Sequence, residues 1–97
     1  MNGRTFTWDE DKQNSNIKKH GITFLEAATV FDDENALITH DPDHSHEEDR
    51  FIIIGFSENV RMLIVCHCYR FDDSVIRIFS ARKANRKERK AYGGRTK

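Results

Sequence analysis

The sequence has little of what membrane-spanning, secreted and disulfide-stabilised proteins need. Among its 97 residues there is one proline, and the only cysteines are Cys66 and Cys68. No apolar run approaches the ~18 residues of a membrane span, and the amino terminus lacks the apolar segment of a signal peptide. The two cysteines are one residue apart on an apparent strand, where a disulfide is difficult to form, so we expect both to be reduced and buried. These absences predict a cytoplasmic protein.

The chain also has no net charge, but its positive and negative residues are distributed unevenly. Lys and Arg total 16, and Asp and Glu total 16. Residues 82–97 contain eight Lys or Arg against Glu88 alone, a net charge of +7, so the remaining residues carry −7. Nine of the acidic residues lie within residues 26–49, which contain no Lys or Arg. A basic end is typical of nucleic-acid contact, and an acidic segment can dock a basic partner or restrain that end.

The apolar content limits the chain to one modest core. At 37% apolar residues in a chain of 97, we expect a single domain over residues 1–97. Residues 5–8 resemble a short strand or a lead-in, after which Asp9 caps a helix that Gly21 ends. The middle of this helix has little to bury except Ile17, so we expect packing of its flanks, through Phe6 and Trp8, to hold it.

The rest of the chain alternates between helix and strand signals. Thr23 and Glu26 have capping-box spacing and open a second helix, which an acidic turn at residues 32–35 ends. Strands are predicted over residues 36–40, 50–56, 60–69 and 75–81, with a loop at 41–49 and turns at 57–59 and 70–74. Asn85 and Glu88 repeat the capping spacing and predict a basic helix over residues 86–92. The expected architecture is α+β: two N-terminal helices, a four-stranded mostly antiparallel sheet with the helices on one face, and a short C-terminal helix.

The last hairpin contains the first candidate site. If Tyr69 faces Val75, His67 faces Arg77 directly, because antiparallel partners keep a constant index sum, whereas a shift by one would separate them. Around this point the chain gathers imidazole and cations, which are His67, Arg70, Arg77, Arg82 and Lys83. Cleaving RNA without a metal requires a base, an acid and cations for the phosphorane charge, which these residue types supply. The simpler alternative is the polar face of a half-exposed strand.

Two further sets of residues have both a functional and a simpler explanation. Possible metal ligands are His40, His44, His46 and the run Cys66-His67-Cys68, but the paired spacing of a zinc site is missing, and residues 41–49 also fit a solvated acidic loop. The basic helix carries cations beside a possible stacking surface for bases, in Arg82, Lys83, Arg86, Arg89, Lys90 and Tyr92. It equally fits a solvated face or a terminal tail.

Motifs along nearly the whole chain resemble one protein family. They are Phe6-Thr7-Trp8-Asp9, Lys12, Asn16, Lys19-His20-Gly21, Phe24, Ala27, Val30-Phe31, Asp41-Pro42-Asp43-His44-Ser45, Arg50, Gly55, Arg77-Ile78, Ser80-Ala81-Arg82-Lys83-Ala84 and Glu88-Arg89 with Tyr92. In this order and spacing the chain resembles the BrnT toxin family, the toxin half of bacterial type II toxin–antitoxin modules. The resemblance implies a RelE-like fold and neutralisation by a small DNA-binding antitoxin, BrnA. Phe79 departs from it, because the family often has isoleucine there, and we expect this change to be an exchange within the core.

The resemblance also implies the activity and its residues. We expect a metal-independent endoribonuclease, without a cofactor, that inhibits translation and growth. The expected catalytic residues are His67, Arg77 and Arg82, and the expected RNA contacts are Arg50, Arg70, Lys83, Arg86, Arg89 and Tyr92. Expected partners are a BrnA-like antitoxin, in a hetero-oligomer that binds DNA through the antitoxin, and RNA, with ribosome-associated mRNA as one candidate. The alternative is a non-catalytic module that binds nucleic acid or a partner protein through the basic helix.

The spacing of two of these residues sets a geometric condition. Arg77 and Arg82 are five residues apart, so on a regular strand they would face opposite sides of the sheet. They share a site only if the chain bends, which we expect after Ser80 or Ala81.

Overall fold

A five-stranded sheet forms the centre of the computed structural model, which describes residues 4–41, 43 and 48–95. The strands are β1 (Thr5–Thr7), β2 (Leu37–His40), β3 (Phe51–Phe56), β4 (Met62–Arg70) and β5 (Val75–Lys83), in the spatial order β1-β5-β4-β3-β2. Strands β2 to β5 pair antiparallel in succession, as the turn signals predict. The predicted count of four strands is wrong, because β1 pairs parallel with β5 and makes the sheet five-stranded and mixed.

Helix α1 (Glu10–His20) begins and ends where its caps predict. The Asp9 carboxylate accepts hydrogen bonds from two backbone amides of the first turn, and Gly21 adopts φ 71° after the last turn. Phe6 and Trp8 pack against the core, as expected. The expectation for Ile17 is wrong, since its side chain is 39% exposed.

The buried residue in the middle of α1 is polar. Asn16 donates from Nδ2 to the carbonyls of Ile22 (2.9 Å) and Ala81 (2.8 Å), and accepts from the Ala81 backbone N–H at 3.0 Å. Its amide thus pairs with the edge of β5 beyond the point where β1 ends. The Asn16 amide, which has one acceptor and two donor hydrogens, makes the hydrogen bonds to β5 that a neighbouring strand would otherwise make.

Helix α2 (Phe24–Thr29) is short and continues into a 3-10 turn, Val30–Asp32. Thr23 caps it as predicted, with Oγ1 accepting from the Glu26 backbone N–H at 3.1 Å. The Glu26 carboxylate does not return to this cap. It is buried and accepts from the Arg61 guanidinium and, at 2.7 Å, from the Ser57 hydroxyl, which joins α2 to the turn after β3.

The strand alternation divides the apolar residues between two faces of the sheet. Helices α1 and α2 cover one face, over a cluster that includes Phe24, Ile53 and Val65. Helix α3 (Arg86–Arg95) packs on the other face, where Tyr92 lies in a smaller cluster with Ile54, Met62 and Ile64. The expectation that the helices share one face is therefore wrong. No helix among the described residues is long and apolar enough to cross a membrane.

The predicted cap of α3 forms in both directions. The Asn85 side-chain oxygen accepts from the Glu88 backbone N–H at 2.9 Å, and the Glu88 carboxylate accepts from the Asn85 backbone N–H at 2.8 Å. On its inner side the Tyr92 hydroxyl donates to Asp33 Oδ2 at 2.9 Å. These bonds fix α3 on the sheet, so it is a packed element.

Candidate nucleic-acid site on the sheet

A β-bulge in β5 sets the geometry of the candidate site. On β4, His67 pairs with Ile78 and the preceding residue Cys66 pairs with Ser80, which leaves Phe79 without a partner in the ladder. An extra residue on one strand shifts the alternation of every side chain beyond it by one position. The chain therefore bends at Phe79, slightly before the position that the sequence predicts, while the pairing continues to the end of β5.

The bulge places two predicted arginines on one face. Arg77 lies opposite Cys68 and Arg82 lies opposite Ile64. Because Cys68 and Ile64 are four residues apart on a regular strand, they share a face, and so do their partners. The geometric condition on Arg77 and Arg82 is met, whereas the expected pairing of His67 with Arg77 is wrong by one residue.

An open pocket of about 450 Å³ lies on this face, beside α3; we call it the sheet pocket. Its floor includes Ile52, Ile64 and Cys66. Three cations and three carboxylates line it, namely Lys12, Arg50, Arg82, Asp41, Asp43 and Glu88. Both signs of charge surround one cavity, which can bind a phosphate through the cations and accept a proton on a carboxylate.

Arg82 and Glu88 form a bidentate ion pair at the side of the sheet pocket. Arg82 Nη1 and Nη2 donate to the two Glu88 oxygens at 2.8 and 2.7 Å. The guanidinium lowers the pKa of Glu88, and the carboxylate raises the pKa of Arg82. Since Glu88 also caps α3, the orientation of Arg82 is tied to the start of that helix.

Arg50 and Phe79 also line the sheet pocket. The Arg50 guanidinium carbon lies 3.8 Å from the centroid of the Phe79 ring, a stacking distance. Arg50 also donates to Glu48 from Nε and Nη2, and Arg70 donates to the other Glu48 oxygen at 3.1 Å. One residue of the acidic segment thus holds two of the predicted RNA-contacting arginines.

The expectation that Phe79 lies in the core is wrong. Phe79 is half-buried and belongs to neither apolar cluster. The bulge removes it from the strand alternation, and it lines both the sheet pocket and a second cavity beside α1. The alternation of apolar and polar residues in the sequence does not predict this position for Phe79.

The structure does not bring His67 together with the arginines. His67 is fully buried on the face covered by α1 and α2, with its ring centroid 4.8 Å from that of Phe31. Its Nδ1 is 3.1 Å from the Val65 carbonyl, which can only accept, so the proton is on Nδ1 and Nε2 accepts from the Tyr69 hydroxyl at 3.1 Å. Burial lowers the pKa of His67 to about 4. Both ring nitrogens are engaged in the neutral form.

Cys66 and Cys68 are free and buried, as expected. Cys66 lies at the floor of the sheet pocket, and its thiol is 3.5 Å from Asp41 Oδ2. Burial, reinforced by the Asp41 carboxylate, raises the pKa of Cys66 to about 12, so the group is a neutral thiol. It supplies a small apolar surface under the charged lining.

The remaining predicted contacts divide into exposed and buried groups. Lys83, Arg86 and Arg89 are exposed at the end of β5 and on α3, where they can reach a polyanion. Tyr92 is buried, with 9% of its surface accessible, and its ring packs edge-on against Phe56. The stacking surface expected at Tyr92 is therefore not available to a base.

The candidate metal ligands do not converge where the structure describes them. His67 faces away from Cys66 and Cys68, because the three alternate along β4. His44 and His46 lie outside the described residues. Within the described part of the chain, no group of three or more His, Cys, Asp or Glu residues is placed to hold a metal ion.

The fold and site define a class: a small α+β protein whose mixed sheet has one face covered by two helices and one arginine-lined face that a third helix covers in part. The solved structure of the Brucella abortus ribonuclease toxin BrnT has a similar fold: it superimposes with a TM-score of 0.65 and 22% sequence identity, covering 86% of this chain and 99% of that one. No curated protein sequence matches the chain significantly. The sequence profile of the family described as ribonuclease toxin, BrnT, of type II toxin–antitoxin systems matches residues 8–88. The chain therefore belongs to the BrnT family of ribonuclease toxins.

Proposed function

We propose that the chain is a metal-independent endoribonuclease whose RNA site is the sheet pocket. One observation carries this proposal: the bulge at Phe79 turns Arg77 and Arg82 to one open face, where Arg50 joins Arg82 around the same cavity. Guanidinium groups bind phosphate by paired hydrogen bonds and keep their charge at any physiological pH. Arg50 and Arg82 line one cavity and can together bind one phosphodiester, while Arg77 lies further along the same face of the sheet.

The proposed chemistry is attack of a ribose 2′-hydroxyl on the adjacent phosphate. The bond from phosphorus to the 5′-oxygen breaks, and the product is a 2′,3′-cyclic phosphate with a free 5′-hydroxyl. Arg82 and Arg77 would stabilise the charge that develops on the phosphorane, and Arg50 would hold the substrate phosphate. Arg70 and Lys83 lie at the ends of their strands, where they would contact flanking phosphates.

The geometry favours a proton acceptor other than His67, which the sequence predicts. The prediction that His67 transfers the proton requires its ring to leave the aromatic cluster on the far face of the sheet. Glu88 is a simpler candidate, because it lines the sheet pocket and contacts Arg82 directly. A substrate phosphate that takes over Arg82 would release Glu88 from the ion pair and return its pKa towards the usual range.

Glu88→Gln tests this assignment, since glutamine keeps an oxygen for the α3 cap but cannot take up a proton at neutral pH. We expect tighter RNA binding, because a negative charge beside Arg82 is lost, and a cleavage rate at saturating RNA lowered ~100-fold or more. Binding to uncleavable RNA and single-turnover cleavage measure the two effects. An unchanged saturated rate would assign the proton to another group.

The activity as a whole is tested by mapping RNA ends after a brief induction of the chain without antitoxin. We expect growth arrest, falling protein synthesis and new RNA ends carrying 2′,3′-cyclic phosphates, and in vitro cleavage that EDTA does not reduce. Salt-sensitive RNA binding without new ends would instead indicate a non-catalytic binding module that uses the exposed cations of α3. Comparing total RNA with ribosome-bound mRNA identifies the substrate pool.

A type II family implies an antitoxin, and we propose that a BrnA-like antitoxin covers the exposed cations of residues 83–90 with an acidic or extended segment. The hetero-oligomer would bind DNA through the antitoxin. Hydrogen exchange with and without antitoxin should show protection of α3 and the end of β5. Protection confined to α1 would contradict the proposed surface.

A further inference from the structure

Phe79 occupies an unusual place for a large aromatic side chain. The bulge leaves it outside the strand ladder, and its half-buried ring borders two cavities at once. One is the sheet pocket. The other is a groove of about 330 Å³ beside α1, which we call the α1 groove; it also shares Lys12 and Ser80 with the sheet pocket.

Two cations lie against the Phe79 ring. Arg50 stacks on it at 3.8 Å, and the Lys12 ammonium is 5.3 Å from the centroid. Arg50 is held by Glu48 as well, so its position against the ring is fixed. Lys12 is exposed on α1, and no bond to any described residue ties its ammonium elsewhere. The weaker of the two contacts is thus the one that a ligand can displace.

The α1 groove extends the cationic surface past Phe79. Lys12 and Lys19 line it, seven residues apart on α1 and therefore on the same side of the helix, together with Ser15, Ser80 and one carboxylate, that of Asp11. A strand of RNA that leaves the sheet pocket over Phe79 would meet these groups next. Phosphates on both sides of the Phe79 ring would each lie near a cation.

Granted that RNA binds in the sheet pocket, we propose that Phe79 is a stacking platform for one unpaired nucleobase next to the bound phosphate. The base displaces the Lys12 ammonium from the ring, and Lys12 turns to the phosphate of the same or the following nucleotide. Stacking of a base on an aromatic ring is worth more than a solvent-exposed cation–π contact, so the exchange favours the complex. The ligand class is single-stranded RNA with the bases unstacked from one another.

The test uses a short 2′-O-methyl RNA, which the proposed chemistry cannot cleave, and the same oligonucleotides with single abasic positions. We expect Phe79→Leu, which keeps an apolar side chain but removes the π face, to weaken binding of the intact RNA about 10-fold. At one abasic position the wild type should lose a similar factor, and Phe79→Leu should lose nothing more. Phe79→Trp should bind at least as tightly as the wild type.

Phe71→Leu is the matched control, because Phe71 is 77% exposed in the turn after β4 and lines neither cavity. Thermal unfolding checks that the variants fold. Equal RNA affinity of Phe79→Leu and wild type, or an equal loss on abasic RNA at every position, would overturn the platform while leaving the ribonuclease proposal intact. Loss of antitoxin binding alone would assign the ring to the protein partner. Absence of RNA binding by the wild type would overturn both proposals.

Discussion

Arg82 combines two roles in one guanidinium. It holds Glu88 at the start of α3, and it projects into the sheet pocket with 42% of its side chain exposed. The family motif predicts Arg82 as a catalytic residue, but the ion pair with Glu88 is not visible from a sequence in which Arg82 is one of eight cations in the last sixteen residues. At the scale of single residues, the contacts that surround a charge decide what it can do.

Substitutions of Arg82 should distinguish the effect of its charge on RNA cleavage from the effect of its paired hydrogen bonds. We expect Arg82→Ala to lower single-turnover RNA cleavage by about 10²- to 10³-fold, as for loss of one donor to a transition-state oxygen. Arg82→Lys should fall between, because an ammonium keeps the charge but not the paired hydrogen bonds. Lys87→Ala, an exposed cation on α3, is the control. Cleavage by Arg82→Ala at the wild-type rate would remove Arg82 from the mechanism.

The buried imidazole of His67 predicts a dependence of stability on pH. Its pKa is about 4 in the folded protein against 6.5 for an unperturbed group. Between these values the unfolded chain binds a proton that the folded chain does not, so the stability is fully present above pH 6.5 and is lost as pH falls towards 4. The expected loss in the free energy of unfolding is about 3 kcal/mol.

The difference in urea unfolding between wild type and His67→Asn at pH 7.0, 6.0 and 5.0 isolates this contribution, because the other titratable groups are common to both proteins. The variant should be less stable than the wild type at pH 7, but its free energy of unfolding should fall less than that of the wild type as the pH is lowered from 7 to 5. The same variant tests catalysis: if RNA cleavage by folded His67→Asn equals that of wild type, His67 is structural. A parallel pH dependence in both proteins would show that the imidazole titrates normally.

At the scale of elements, β5 organises the molecule. Its first part pairs with β1, its edge beyond β1 pairs with Asn16 of α1, its bulge presents Phe79, and its end leads through Asn85 into α3. The partners of β5 in β1 and at Asn16 are 65 or more residues away in the sequence. The positions of α1 and α3 relative to the sheet pocket therefore both depend on β5.

The Asn16 contact gives a prediction at this scale. We expect Asn16→Ala to lower the free energy of unfolding by about 2–4 kcal/mol, because the backbone N–H and C=O of Ala81 lose their partner while buried. Asn14→Ala, an exposed position of the same helix, should change stability by less than ~0.5 kcal/mol. Urea unfolding measures both. Equal effects of the two variants would mean that α1 is held by its apolar flanks alone.

At the scale of the whole molecule, the sheet separates a face packed against two helices from the face that carries the sheet pocket. Helices α1 and α2 cover the first, while α3 covers only part of the second and leaves the sheet pocket open. The acidic segment does not simply counterbalance the basic end. Among its described residues, the carboxylates of Glu26, Asp33, Asp41, Glu48 and Asp49 have partners elsewhere in the chain.

The distribution of cations predicts salt-dependent RNA binding. Three to five phosphate contacts would give a slope of log affinity against log salt of about −2 to −3.5 for single-stranded RNA, or a loss of roughly 20- to 130-fold between 50 and 200 mM salt. Arg86→Gln with Arg89→Gln should flatten the slope if α3 contacts phosphates. Lys18→Gln, an exposed cation on α1 that lines neither cavity, serves as the control. Fluorescence anisotropy with uncleavable RNA gives these slopes, and a flat wild-type slope would argue against phosphate-dominated binding.

The sequence alone determined the features that neighbouring residues specify. Caps at Asp9, Thr23 and Asn85, the stop at Gly21, and the antiparallel succession of strands follow from local hydrogen bonding and side-chain alternation, which act within a few residues. The family motifs, which span most of the chain, also predicted the ribonuclease family. These signals sufficed for the α+β class and for most element boundaries.

Only the tertiary structure decided which side chains share the face of the sheet on which we propose the RNA site. A single unpaired residue, Phe79, changes the face of every side chain beyond it in β5, and nothing local in the sequence marks a bulge there. The same holds for the pairing of β1 with β5, the position of α3 on the opposite face and the burial of His67. These features depend on contacts between segments far apart in the chain, whose energies come from packing and not from local propensity.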